Sequence, residues 1–301
     1  MTEKGKVWVN GTLIPWEQAT VPLLSHGFSR GSAIFEVFGV HQGATGIFAF
    51  RMDEHLKRLE NSARLLEMEL AYSTAEMMAA VKETARANHI GRGLIKMMAY
   101  WSEEAVIHLV LNSKLDLAIF AIPESENLKL DQMDKPISAC FSKWRKIHPE
   151  TVPVGAKACS NYLNSYLTRK DANNRGFDIG IMKGTDGFLA EGSTESVFIV
   201  KDGILKTPPL GRVLNSISRK SILEAAPVLG IPCLETIIAP EELLTADEMF
   251  TAHTGVKIHS INRFEDRTLQ APGPVSKKLI AFVEQLVRVN DDRFKHWFQP
   301  L

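Results

Sequence analysis

The sequence predicts a two-domain α/β protein of the α+β kind: a small amino-terminal α/β domain over residues 1–123, a linker over 124–136, and a larger carboxyl-terminal domain of mixed sheet and helix over 137–301. Three observations predict it. A chain of 301 residues exceeds the size at which one hydrophobic core usually keeps growing. Strand-like and helix-like apolar periods succeed one another without the repeated strand–helix–strand rhythm of a doubly wound parallel sheet. The stretch ESENLKLDQMDK between Pro123 and Pro136 is polar and lacks an apolar face, as an interdomain connection would.

The elements follow in order. VWVNGTLI places Asn10-Gly11 between two β-prone runs, the strongest short hairpin signal. Residues 52–70 switch to helical spacing, with Leu56, Leu59, Ala63, Leu66 and Leu70 on one face. The capping box Ser73-x-x-Glu76 opens a second helix that closes near Gly91. Runs 93–101 and 115–122 read as strands. Past the linker, NYLNSYLTRKDANNRG reads as a helix ended by Gly176. DIGIMK, GFLAEG and SVFIV then read as a β-meander with turns at Asp186-Gly187 and Asp202-Gly203. Helices are expected at 216–229 and 274–290.

Composition narrows the function classes. Thirty-five lysines and arginines balance thirty-five aspartates and glutamates, which removes the electrostatic footprint of a nucleic-acid or anionic-membrane binder and favours small-molecule partners. No apolar run reaches the length of a membrane span or a signal segment, so a cytoplasmic location is expected. Cys140, Cys159 and Cys233 form no CxxC pair, and neither a disulfide frame nor a metal site is expected.

The common hydrolase, zinc-protease and nucleotide motifs, GxSxG, HExxH, the Walker loop and GxGxxG after a strand, are absent. Three other segments draw attention: AKACSNYLNS around Lys157, FLAEGSTESVFIV around Glu191, and TPPLGRVLNSISRKSI leading into a helix at Ile217. Each has a plain explanation: a surface lysine, an edge carboxylate and a helix cap. Yet Lys157 lies among the small residues Ala156, Ala158 and Cys159, and a helix amino terminus offers N–H groups to a phosphate.

In their order, VWVNGTLIPW, LSHGFSRGSAIFEV, FRMDEHLKRLENSARLLEM, AKACSNYLNS, AEGSTESVFIVKDGILKTPPL and ADEMFTA resemble the class IV, fold-type IV aminotransferases (the D-amino acid aminotransferase-like fold), and most nearly their branched-chain amino acid branch. The resemblance runs from about residue 7 to 262. It implies pyridoxal 5′-phosphate as cofactor, with Lys157 as the catalytic lysine that holds it as a Schiff base. It further implies Tyr162 beside the phenolic oxygen, Glu191 at the pyridine nitrogen, and Arg58, Ile217, Ser218 and Thr254 around the phosphate. The activity implied is ping-pong transamination between a branched-chain or related apolar L-amino acid and a 2-oxo acid, in a homodimer. The chemistry suits these residues. A lysine that attacks an aldehyde must spend time neutral, which burial favours, and a carboxylate at the ring nitrogen keeps the ring an electron sink.

Departures from the branch concern the substrate. Arg30 in SRG stands where a tyrosine in HYG is usual, and Lys96 in LIKM where YIRP is usual. HTGVKI replaces GTAAEI, which puts His253 at a glycine position, with Gly255 in the same segment, and Ser216 stands at the glycine of GITR. The loop after residue 101 is shortened to SEEAVIHLVLNSK. Arg30 and Lys96 could receive an acidic group. Phe35 and Phe38 are candidates for an apolar substrate wall, whereas His26 and His55 read as packing residues. The same lysine, glutamate and phosphate cup would equally serve a D-amino acid or amine transaminase, or an aminodeoxychorismate-lyase-like enzyme.

Overall fold

The computed structural model describes residues 5–125, 135–254 and 257–301. The chain divides into two compact units, Met1–Leu130 with Ala156–Ser160 and Leu286–Leu301, and Asp131–Gly155 with Asn161–Gln285. Most of the expected linker, residues 126–134, and the candidate Gly255 lie outside the described residues.

The first unit opens with the hairpin of β1 (Lys6–Val9) and β2 (Thr12–Pro15). Asn10 and Gly11 take φ of 46° and 91°, the two successive left-handed residues that a type I′ turn requires. After the single turn α1 (His26–Ser29) come β3 (Ile34–Gly43), β4 (Gly46–Phe50), α2 (Met52–Leu65), α3 (Thr74–Ala87), β5 (Gly93–Tyr100) and β6 (Asp116–Pro123). With the chain's last strand, Phe298–Pro300, they build an antiparallel sheet ordered Phe298–Pro300, β4, β3, β5, β6, β1, β2.

Both helices start where the sequence signals, and α3 carries the complete Ser73–Glu76 capping box. Their ends differ from expectation. α2 stops at Leu65 because Glu67 turns to φ 53° and the Met68 N–H bonds back to the Ala63 carbonyl at 2.9 Å, while Leu70 bridges Leu115. α3 ends at Ala87, with His89 rather than Gly91 in the left-handed region at φ 48°.

Period-two alternation gives the sheet two distinct faces. Ile34, Phe38 and Val40 of β3, with Ile95, Met97 and Ile119, form one core with Met52, Leu56 and Leu59 of α2 and Met77 and Val81 of α3. Each such side chain contributes about 1.5–3 kcal/mol by leaving water. The register pairs Phe35 with Met98 and Val37 with Lys96, so these four share the other, half-buried face.

The second unit contains β7 (Ile137–Phe141), α4 (Tyr162–Asn174), β8 (Ile179–Lys183), β9 (Leu189–Gly192), β10 (Ser196–Lys201), β11 (Ile204–Thr207), α5 (Ile217–Val228), β12 (Cys233–Glu235), α6 (Pro240–Thr245), β13 (Glu248–His253), β14 (Lys257–Phe264), β15 (Arg267–Thr268) and α7 (Pro274–Leu286). The sheet runs β12, β11, β10, β13, β14, β7, β8, β9, with β15 paired to β14. Its β11–β12, β14–β7 and β7–β8 pairs are parallel.

The expected meander is corrected here. β8–β9 and β10–β11 are antiparallel pairs, but β9 ends the strand order and β10 lies between β11 and β13. The cause is local. The Gly192 N–H bonds to the Glu195 carbonyl at 2.8 Å and the Thr194 N–H to the Glu195 carboxylate at 2.8 Å, which turns the chain out of the ladder. β10 is consequently buried along nearly its whole length, with Phe198 stacked on Phe250 at 5.0 Å. α7 stops at Leu286 rather than 290, and Val289 takes φ 56°. At its start the Glu248 carboxylate accepts the Val275 and Ser276 N–H groups at 2.8 and 2.9 Å, satisfying donors that the helix leaves open.

Candidate active site

In the first unit, Ala156–Ser160 is fastened to the start of β3. The Phe35 N–H donates to the Lys157 carbonyl at 3.1 Å, the Cys159 N–H to the Ala33 carbonyl at 2.8 Å, and Ala158 bridges Ile34. The Lys157 N–H donates to Ser62 Oγ at 3.0 Å, and that hydroxyl donates to the Arg58 carbonyl at 2.8 Å. Lys157 is therefore buried, at 8% exposure, with its Nζ 4.7 Å from the centre of the Phe35 ring.

Arg58, one α2 turn from Ser62, is held by a carboxylate that the motif reading passed over. Glu36 is fully buried. It accepts Arg58 Nε and Nη2 at 2.7 Å each, and its Oε2 lies 2.6 Å from His55 Nδ1. Burial pushes the Glu36 carboxyl up, but the charge and hydrogen bonds of Arg58 together with the His55 hydrogen bond outweigh it and hold the group at about 2. Burial lowers His55, against the pull of Glu36 and with the help of the Arg58 and Lys157 charges. A neutral His55 donates Nδ1–H to Glu36. The signal for Glu36 was present in the sequence: it shares the strand parity of Ile34, Phe38 and Val40, an acid at a core position.

Phe35 has a second cation beside it, Lys96 Nζ, 5.6 Å from the ring centre. The first unit thus brings Lys157, Phe35 and Lys96 together. Arg30 is directed elsewhere: it is exposed, and its Nη2 donates to the Val106 carbonyl at 3.1 Å, with Ala105 at 3.5 Å. His26 fixes the same segment, with Nδ1 2.8 Å from Ser32 Oγ and Nε2 3.0 Å from the Leu109 carbonyl. Phe38 is part of the helix-covered core and not of the half-buried face.

In the second unit, Tyr162 begins α4 and Glu191 lies half-buried on β9. Glu191 Oε1 is 2.5 Å from the ammonium of Lys146, a buried lysine for which the sequence carried no spacing signal, and Oε2 accepts the Leu214 N–H at 3.2 Å. Two residues later Ser216 caps α5. Ile217 and Ser218 fill its first turn, ahead of the first intrahelical bond, Lys220 N–H to the Ser216 carbonyl at 2.9 Å. Ser218 Oγ donates to the His253 carbonyl at 2.5 Å, which ties the helix start to the end of β13 beside Thr254. Burial, reinforced by the His259, Lys257 and Arg169 charges, drops His253 to about 3, so its ring is neutral. It stacks on His259 at 5.2 Å.

Residues 33–264 match the family model of the class IV amino-transferases. The chain belongs to the class IV aminotransferases. Within this family it is 31% identical over 300 residues to the branched-chain-amino-acid aminotransferase of Salmonella typhimurium, covering 98% of this chain and 97% of that one. The branched-chain aminotransferase of Thermoproteus uzoniensis, solved with norvaline, superposes with a TM-score of 0.93 at 35% identity over 99% of both chains. That of Thermobaculum terrenum, in its PLP form, superposes at 0.90 with 30% identity and the same coverage. The fold is the two-domain fold-type IV of the aminotransferases. Among the described residues no helix is long and apolar enough to cross a membrane, and no cluster of three or more histidines, cysteines or acids could hold a metal ion.

The buried network makes this aminotransferase acid-sensitive in a definable way. Glu36 sits at about 2 in the fold against an ordinary 4.5, so its contribution is complete above 4.5 and is lost as pH falls towards 2. His55, lowered in the fold, acts in the same direction from its ordinary 6.5 downward. Glu36→Gln, which removes the carboxylate charge beside buried Arg58, is expected to cost about 3–5 kcal/mol near neutrality. It should also flatten the fall of melting temperature between neutral pH and about pH 3. An acid slope equal to that of the unaltered protein would refute the assignment.

Proposed function

We propose that the chain is a pyridoxal-phosphate-dependent transaminase that moves an amino group between a branched-chain or related apolar L-amino acid and a 2-oxo acid. The observation that carries this reading is the buried amine of Lys157, tied at both its backbone N–H and carbonyl and set over an aromatic ring, in a class IV aminotransferase chain. The branched-chain relatives, and the norvaline in one of them, support an apolar substrate.

The donor set fits the cofactor in kind. The first unit offers a primary amine, and the second offers the start of a twelve-residue helix and a carboxylate. Pyridoxal phosphate supplies an aldehyde that takes up the amino group and a ring that draws in the electron pair left on Cα. Lys157 Nζ accepts the substrate α-proton and later returns it. Arg58, the Ile217 and Ser218 amides and Thr254 hold the phosphate, where a helix amino terminus favours a dianion. Tyr162 donates to the phenolic oxygen, and Glu191 faces the ring nitrogen. Phe35 lines the apolar side-chain site, and His253 and Gly255 receive the substrate carboxylate. Lys96 pairs with the side-chain carboxylate of an acidic partner substrate such as glutamate, while Arg30 acts by fixing the backbone at 105–106.

The working form is a homodimer. Phe28, Ile107, Leu109 and Val110 are 66–82% exposed, and exposed apolar side chains of this kind suit a subunit contact.

Four measurements test this reading. Protein reconstituted with pyridoxal phosphate should be yellow, with a band that shifts on adding L-leucine more than on adding D-alanine or a chiral amine. Lys157→Ala should abolish turnover while the circular dichroism stays unchanged, and a colourless protein that takes up no cofactor ends the proposal. Lys96→Met should raise KM for L-glutamate roughly tenfold to a hundredfold and leave that for L-leucine nearly unmoved; equal effects on both would show that Lys96 reads no side-chain carboxylate. Ile107→Asp combined with Val110→Asp should convert a dimer to a monomer in sedimentation velocity, and an unchanged boundary would place the subunit contact elsewhere.

A further inference from the structure

Glu191 is not an isolated carboxylate. Each of its oxygens is engaged by a group from a different part of the second unit, Oε1 by the Lys146 ammonium at 2.5 Å and Oε2 by the Leu214 N–H at 3.2 Å. Lys146 is itself 6% exposed and is pinned by its own N–H to the Lys183 carbonyl at 2.9 Å, at the end of β8. A buried lysine is rare without a partner, and here one carboxylate oxygen is that partner.

We infer that Lys146 is a positioning residue for the transamination: it holds the Glu191 carboxylate in one orientation, so that the carboxylate stays directed at the protonated pyridine nitrogen. The inference rests on the reading of Glu191 given above and adds to it. Held by the Leu214 N–H alone, the carboxylate could turn away from the ring. The Lys146 ammonium on its other oxygen fixes the second end of the group. A ring nitrogen kept paired with that carboxylate would draw electrons from Cα more strongly. The side chain also borders a cavity of about 270 Å³ lined by His148, Gly184, Asp186 and Arg212, among others. Arg212 is occupied by Asp186 at 2.6 Å, so the cavity has room for a larger head group at position 146 without a competing free cation in it.

The test uses holoenzyme reconstituted with pyridoxal phosphate labelled with ¹⁵N at the ring. The ¹⁵N resonance should lie in the pyridinium range in the unaltered protein and move to the neutral-pyridine range in Glu191→Gln. In Lys146→Met and Lys146→Gln it should move in the same direction, with kcat reduced at least about tenfold and the donor KM little changed. Lys146→Arg, which restores the charge, should return both signal and rate. A pyridinium signal in Lys146→Met or Lys146→Gln, alongside a displaced one in Glu191→Gln, would overturn the inference and leave Lys146 a structural ion pair. An unmoved signal in Glu191→Gln would instead strike the Glu191 reading itself. Lys146→Gln, close in shape and still a hydrogen-bond donor, decides the matter if the Met variant does not fold.

Discussion

Two backbone hydrogen bonds join Ala156–Ser160 to Ala33 and Phe35, on either side of the first residue of β3, and the position of the Lys157 amine follows from them. Side-chain torsions alone would let a lysine sweep a wide volume at a cost of about 1.5–2 kcal/mol in lost rotamers when it is fixed. Here the backbone is held at Phe35 and Cys159 and again at Ser62, so only the side chain remains to be ordered. β3 is in turn an interior strand, between β4 and β5. The lysine is thus mounted on an interior strand of its unit, although its own segment belongs to no strand or long helix.

The same economy governs the charges. Exposed pairs such as Lys57 with Glu54 contribute little, since water already solvates both partners. Glu36 with Arg58 and Glu191 with Lys146 are different, because each places a carboxylate and a cation where desolvation is expensive. Replacing such a pair with hydrophobic residues often gives an equally stable protein. The gain from keeping them is therefore better sought in orientation than in stability: each fixes the direction of a side chain that the proposed chemistry requires, Arg58 in one unit and Glu191 in the other.

Local features were legible in the sequence. Asn10-Gly11, the Ser73–Glu76 box and Gly176 each encode a turn or cap within a few residues, and each appears where expected. Strand order was not legible, because nothing in the alternation of SVFIV says that its neighbours are β11 and β13 rather than β9. The candidate residues divide in the same way. Lys157 and Glu191 stood out only through the order of several segments along the chain, since an isolated lysine or glutamate has no periodicity to break. Glu36 does break one, and its partner lies on the helix that covers the strand. Lys146 breaks none, because it follows an irregular stretch and finds Glu191 only through the sheet.

Lys96 poses the question of how an apolar wall can carry a cation. Its cross-strand neighbours are Val37 and Phe120, and Phe35 and Met98 share the same half-buried face. A guanidinium there would present a rigid, planar charge to every occupant, and an apolar side chain laid against it would leave that charge desolvated and unpaired. A lysine offers four methylenes of apolar contact and a compact head that can turn back to water. On the proposed reading the stem would pack against an aliphatic substrate, and the head would return when a carboxylate arrives. On that argument a flexible lysine among aromatic and aliphatic neighbours, rather than a rigid guanidinium, is the less costly way for one surface to serve both an apolar amino acid and an acidic co-substrate in the proposed half-reactions.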